Sequence, residues 1–253
     1  MHFIEEEGGF LRVNQQDGKV QSIVFATAKQ LAEIERSQPN VNLLDMTYGC
    51  CSEKYKTACI VYPCSLTGGT RIACTALLLD ETTHTVQKFL EQYQSIFAPN
   101  FFFVDKDFGQ MEVLRLVFPN ARVLLCAFHT IKYIGTLFAT LHSTKHKDIV
   151  PVKRDLFQLF KRMVNARSQS QFDNAWNELK EVGNHCTVRR KTGIVPLVEY
   201  LEKNWISCVD MWSRVHRMHL PIRFTYTTNR VSNFLYIKLN LTLHLFRLKD
   251  SLV

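Results

Sequence analysis

Apolar residues recur along this chain in two rhythms, and the change from one to the other predicts the elements. Val20 to Phe25 alternates well enough for a strand, and "TAKQLAEIERSQ" follows as a short helix of good helix formers. "NVNLLDMTYG" is an apolar strand ending on Asp45. Two further apolar, β-branched runs, "YKTACIVY" and "RIACTALLLD", are separated by "PCSLTGG", whose Pro and paired Gly make a turn. Three strands joined by short turns predict an antiparallel meander.

From Thr83 the period becomes helical, with Val86, Phe89, Leu90, Tyr93, Ile96 and Phe97 on one face until Pro99-Asn100. "FFFV" is the next strand, and "FGQMEVLRLVF" is an amphipathic helix stopped at Pro119-Asn120. "ARVLLC" is the fifth strand of this series, running into a helix over about 127–141. The order is β-β-β-α-β-α-β-α. Continuous apolar runs in its last two strands predict burial on both faces, as in a mixed five-stranded sheet with helices on both sides.

Beyond His142 the pattern is mostly helical. Val152, Leu156, Leu159, Phe160 and Met163 mark one helix; Phe172, Trp176, Leu179 and Val182 mark another, with Ser170 as its expected cap. "HCTVRRKTG" reads as a basic loop, and "IVPLVEYLEKNWISCVDMWSRV" as one or two aromatic-rich helices. The last residues, "LNLTLHLFRLKDSLV", end inside an apolar stretch, which suggests a fragment of a longer product. The expected organisation is a strand-and-helix lead-in over 1–40, an α/β core over 41–141 and a helical, basic region over 142–253.

Charge divides the chain in a similar place. Residues 122–253 hold 21 Lys and Arg against 9 Asp and Glu, a balance of +12, whereas residues 1–121 hold 10 against 14, a balance of −4. A basic half of this kind suits a polyanion such as DNA or RNA, although uneven surface charge alone gives the same totals. No apolar run approaches the roughly 20 residues of a membrane helix, and "MHFIEEEGGF" lacks the features of a signal peptide. The expectation is an intracellular protein with no membrane partner and mostly reduced cysteines. Those cysteines, at 50, 51, 59, 64, 74, 126, 186 and 208, contain no C-x-x-C pair and no repeated spacing, a pattern that argues against a disulfide framework or a four-cysteine zinc site.

The candidate chemistry lies in "FFFVDKDFGQMEVLRLVFPNARVLLCAFH", where one apolar run ends on Asp105 and Asp107 and the next closes on Cys126 and His129. In a β-β-β-α-β sheet the first and fourth strands can lie side by side, which brings Asp45 and Asp105 to neighbouring strand ends. Two carboxylates held together repel each other, and the usual reason to keep them there is Mg²⁺ or Mn²⁺. Two such ions would support attack on a phosphodiester. The competing account is local: Asp105 and Asp107 stand before a helix, where a carboxylate is favoured as a cap.

At "LLDMTYG", "LLLDETTHTVQKFL" and "FFFVDKDFGQMEVLRLVFPNARVLLCAFHTIKYI" the sequence resembles the RNase H-like domain of the SWIM zinc-finger-containing proteins, itself similar to the Mutator-like transposases. The resemblance covers about residues 20–135 and continues more weakly to "FTYTTNRVSNFLYIK". It implies an RNase H-like α/β fold, with Asp45 and Asp105 as the first two members of a catalytic carboxylate triad. It also matches Cys126 and His129 to the family's C-x-x-H, two ligands short of a zinc site and better suited to a structural role.

The third acidic position departs from the family. After Thr227, Thr228, Asn229, Arg230 and Val231 this chain has Ser232 where the pattern has Glu. Glu199 or Glu202 is the candidate substitute. The C-x-C…H-x-C SWIM finger is absent from the sequence. The resemblance therefore implies a nuclear, transposase-derived domain with an eroded site, no organic cofactor, and a nucleic-acid or nuclear protein partner. Its alternatives are an active Mg²⁺-dependent nuclease or transposase, and a protein-interaction domain on the same fold. Basic candidates for a groove are Arg189, Arg190 and Lys191, with Lys153, Arg154, Lys161, Arg162, Arg214 and Arg217 around them; Trp205 and Trp212 are candidates to stack on bases or to fill the core.

Overall fold

The computed structural model of the chain describes residues 8–47, 55–64, 69–145, 148–191 and 193–222. They fall into two compact units, the first running through Leu124 and the second beginning at Leu125.

The first unit is built on a seven-stranded mixed sheet. Its strands are β1 (Phe10–Gln16), β2 (Lys19–Ala26), β3 (Val41–Thr47), β4 (Lys56–Pro63), β5 (Thr70–Leu78), β6 (Phe101–Val104) and β7 (Arg122–Leu125), in the order β1-β2-β5-β4-β3-β6-β7. The expected meander is present as β3-β4-β5, antiparallel throughout, and β3 pairs with β6 in parallel. The sheet exceeds the expected five strands because β1 and β2 extend it beyond β5. Asp17 and Gly18 join that hairpin, both with positive φ (52° and 72°), as a two-residue turn matched to strand twist requires.

Three helices belong to this unit: α1 (Ala28–Ser37), α2 (Thr83–Gln94) and α3 (Phe108–Val117). Thr27 caps α1 in a reciprocal capping box with Gln30, Thr82 caps α2, and Asp107 caps α3 by accepting from Gln110 N at 2.9 Å. Gly109 allows the starts of α2 and α3 to approach, since a Cβ there would stand 3.3 Å from Asp107 Oδ1 and 3.6 Å from Thr83 Oγ1. Asn42 donates from β3 to the Tyr93 hydroxyl on α2 at 2.5 Å, which fixes that helix over one face of the sheet. All four side chains of β6 are buried, and a fully buried Phe contributes about 2–3 kcal/mol. The two-rhythm pattern thus positions α2 and α3 around the strand ends that carry the aspartates.

The second unit is mostly helical: α4 (Ala127–Ala139), α5 (Val150–Asn165), α6 (Gln169–Gly183) and α7 (Leu197–Asn204), then two 3-10 turns, Ile206–Met211 and Val215–Arg217. Three features differ from expectation. Ser168, not Ser170, caps α6, accepting from Gln171 N at 3.2 Å. The basic "loop" is a hairpin of β9 (Cys186–Arg190) and β10 (Gly193–Pro196), completed as a three-stranded sheet by β8 (His142–Ser143). Its buried Cys186 and Val188 alternate with Thr187 and exposed Arg189, a strand period too short to stand out in sequence. The stretch from Ile194 is not one long helix, because β10, α7 and the 3-10 turns divide it.

Of the two places open to the tryptophans, the structure shows the core. Trp205 and Trp212 are fully buried, with ring centroids 6.3 Å apart; Phe160 stacks on Trp212 at 5.1 Å, and Phe172 stands 6.0 Å from it. Trp212 Nε1 donates to Trp205 O at 2.8 Å, so the one polar atom of that ring is satisfied inside the core.

Candidate functional site

The carboxylate pair follows from register. In the parallel pairing of β3 and β6, Val41, Asn42 and Leu43 lie opposite Phe101, Phe102 and Phe103. The last pair is Leu43 with Phe103; Asp45 lies two residues further along β3 and Asp105 directly follows β6, so both stand at the same end of neighbouring parallel strands. Because side chains alternate along β3, Asp45 projects to the face of Leu43, opposite to the face where Asn42 meets α2. Asp45 is only 6% exposed, and its neighbours across the sheet are Cys59 on β4 and Thr75 on β5. Cys59 Sγ donates to Thr75 Oγ1 at 3.8 Å, a weak bond that ties the row together.

Beyond Val104 the chain turns, with Asp107 N donating to Asp105 O at 2.8 Å, and α3 begins. Asp107 is committed to its capping bond. Asp80 is likewise engaged locally, its Oδ1 accepting from Thr82 N at 3.0 Å and Thr82 Oγ1 at 2.7 Å. Hydrogen bonds from Thr85 and Thr82 hold its carboxyl below the usual carboxylate range.

Two carboxylates supply hard oxygen donors suited to one Mg²⁺, whereas a two-ion site needs more. Among the described residues no three His, Cys, Asp or Glu side chains are grouped so as to hold a metal ion. The described donor set therefore does not fit a two-metal centre. Ser232, at the third family position, lies outside the described residues. Glu199 and Glu202 are exposed on α7 in the second unit. Cys126 is the buried N-cap residue of α4 and makes no side-chain capping bond; His129 is half-buried one turn on, its ring 5.2 Å from that of Phe128.

The basic candidates separate by environment. Arg217 is buried and donates to Leu125 O at 3.0 Å, Met211 O at 3.2 Å and Trp212 O at 2.8 Å, so it belongs to the core of the second unit. Arg162 forms a two-pronged pair with Glu178 at 2.8 and 3.2 Å, Arg154 pairs with Asp155 at 3.6 Å, and Lys153 donates to Ala139 O at 2.7 Å. Lys161 lies over the Phe157 ring at 5.6 Å. A cleft of about 380 Å³ at the α5–α6 pair is lined by Asp155, Glu178 and Glu181 against Arg162 alone, which makes it acidic. Arg189, Arg190 and Lys191 are exposed, and among the described residues none of the three forms an ion pair.

The hairpin carries aromatic neighbours that the sequence pattern does not single out. The Arg190 guanidinium lies 5.1 Å from the centroid of the Tyr200 ring, the Tyr200 and Tyr133 hydroxyls are 3.1 Å apart, and the Tyr133 ring stands 5.5 Å from that of Trp205. Burial, reinforced by the Tyr133 hydroxyl, pushes the Tyr200 phenol up to about 12. The one signal in the sequence is the polar stripe of His129, Tyr133 and Thr136 at helical spacing on α4.

Residues 1–124 match the family model of the RNase H-like domain of zinc finger SWIM domain-containing protein 1/3. This segment belongs to that family. The seven-stranded mixed sheet is its RNase H-like fold, with the paired β3 and β6 between β4 and the edge strand β7. Among curated proteins none matches the chain. Among solved structures, the simian T-cell lymphotropic virus intasome in complex with PP2A regulatory subunit B56 gamma contains a similar chain, at 13% identity and a TM-score of 0.28. That likeness covers 58% of this chain and 49% of the other, so the alignment spans about half of that chain. Among the described residues no helix is long and apolar enough to cross a membrane.

Proposed function

We propose that the chain is a transposase-derived, catalytically impaired RNase H-like protein that binds nucleic acid in the nucleus through its basic second unit. The observation that carries this is the hairpin: Arg189 and Arg190 at the end of β9 and Lys191 in the turn after it are exposed and form no ion pair among the described residues, while Arg162 and Arg154 pair with carboxylates and Lys153 donates to a carbonyl. Three cations clustered at the turn of a hairpin with no carboxylate partners among the described residues suit a phosphate backbone better than a scattered surface charge does. The acidic cleft between α5 and α6 is unfavourable for a polyanion.

The donor set supports the reading of an impaired site. Asp45 and Asp105 would hold one Mg²⁺ or Mn²⁺, which, when bound, would neutralise the pair and offer a Lewis acid to a phosphate oxygen. Ser232 brings no negative charge to the third family position. We therefore expect no Mg²⁺- or Mn²⁺-dependent nicking or strand transfer. Cleavage that disappears in Asp105→Asn would reverse this and make the protein an active nuclease.

Binding is tested by titrating duplex and single-stranded DNA across a salt series. Affinity should fall steeply with salt, and changing Arg189, Arg190 and Lys191 together to Ala should flatten the slope by up to about three phosphate equivalents. Absence of binding at low salt, or binding indifferent to salt, would assign the surface to a protein partner.

A further inference from the structure

Four side chains beside the basic hairpin form a chain of contacts in which Tyr133 reaches solvent more than the buried Tyr200 does. Trp205 is wholly buried, Tyr133 packs on it with 39% of its surface exposed, Tyr200 holds the Tyr133 hydroxyl, and Arg190 covers the Tyr200 ring. Tyr133 is thus fixed by a ring contact and a hydrogen bond while still reaching solvent. An aromatic already held in place loses little side-chain freedom when a second ring stacks on it. An exposed guanidinium over Tyr200, whose hydroxyl meets that of Tyr133, sets a cation one residue away from such a ring, and a ring with a nearby cation is the combination that holds an unpaired base and its flanking phosphate.

We propose that Tyr133 is a stacking platform for an unpaired nucleobase, with Arg190 taking the adjacent phosphate and Tyr200 fixing both. This rests on the nucleic-acid reading above and narrows it to single strands, or single-stranded stretches within a duplex. A base inside a duplex is already stacked on its neighbours, and its face is closed to Tyr133. The sequence candidates for stacking, Trp205 and Trp212, serve instead as the buried wall behind this platform.

The test uses the full chain, an oligothymidine of about twelve nucleotides, within the site sizes of single-strand binders, and a duplex of equal length. Tyr133→Ala should weaken the single strand about tenfold to a hundredfold and leave duplex affinity and the salt slope unchanged. Tyr133→Phe keeps the ring and should bind within about threefold of the unaltered protein, since stacking rather than the hydroxyl makes the contact. Tyr133→Leu retains apolar volume against Trp205; equal loss in the Ala and Leu variants, with unchanged unfolding midpoints, separates stacking from damage to the fold. An oligonucleotide carrying 5-iodouracil should photocrosslink to the peptide containing Tyr133. Steep, salt-dependent binding that neither variant alters would overturn the platform and leave the basic-surface reading standing. No binding of either oligonucleotide at low salt would overturn both.

Discussion

The two units bury polar groups for different reasons. In the first, Asn42, Asp45 and Thr75 project from a regular sheet whose backbone is already paired, and their positions follow the strand period. In the second, a buried guanidinium substitutes for missing backbone donors: Arg217 reaches the carbonyls of Leu125, Met211 and Trp212, the last two at a 3-10 turn and its end. Regular structure satisfies its own backbone, so its buried polar side chains are free to be chosen for a site or a contact. Irregular structure leaves carbonyls over, and a core charge is used to close them.

The sharpest way to break that comparison is Arg217→Ala. It removes three charge-assisted bonds and leaves buried acceptors and a void, which should cost about 3–5 kcal/mol of unfolding free energy. Denaturant titration of the full chain measures it. A loss under about 1 kcal/mol would mean that water or neighbouring donors serve those carbonyls and that Arg217 belongs with the surface cations after all.

The counterpart in the first unit is Tyr93→Phe. It deprives the Asn42 amide of its acceptor but disturbs no backbone bond, so about 1–2 kcal/mol is expected. The ratio of the two losses is the informative quantity. Equal losses would indicate that the Asn42–Tyr93 bond, and not sheet pairing, fixes α2 against β3.

The same distinction explains what the amino-acid pattern reveals and what it hides. The strands β2 to β7, the helices between them and the adjacency of β3 and β6 are legible, because apolar runs of period two and 3.6 separate cleanly around Pro and Gly. β1 is not, although Asp17-Gly18, a strong two-residue hairpin signal, lies beside it; the polar run "RVNQQ" masks its alternation. The family's carboxylate positions are legible only through the resemblance. In the second unit, composition yields net charge but not which cations are spent. Arg217, Arg162 and Arg190 look alike in sequence and are respectively buried, ion-paired and exposed. Tyr133 does not stand out because its partners Tyr200, Arg190 and Trp205 are distant along the chain.

The smallest effect concerns where α6 begins. Ser168 has extended backbone (φ −139°, ψ 156°) and accepts from Gln171 N, while the Gln171 side chain accepts from Arg167 N at 2.9 Å. The spacing Ser-x-x-Gln is that of a capping box, shifted so that its second bond reaches one residue further back. Ser170 lies inside the first turn and is exposed. Ser168→Ala should therefore cost about 1 kcal/mol, and Ser170→Ala should change stability by less than about 0.5 kcal/mol, in the stabilising direction because alanine is the better helix former. Thermal or denaturant midpoints of the two variants decide the matter. The cap matters beyond its own turn, since Phe172, in the first turn that it closes, packs against Trp212 and places its ring 5.2 Å from His216. If Ser170→Ala proved the costlier change, the helix would start two residues later, Phe172 would lie at its unsupported start, and the aromatic core behind Tyr133 would be held less firmly than the geometry requires.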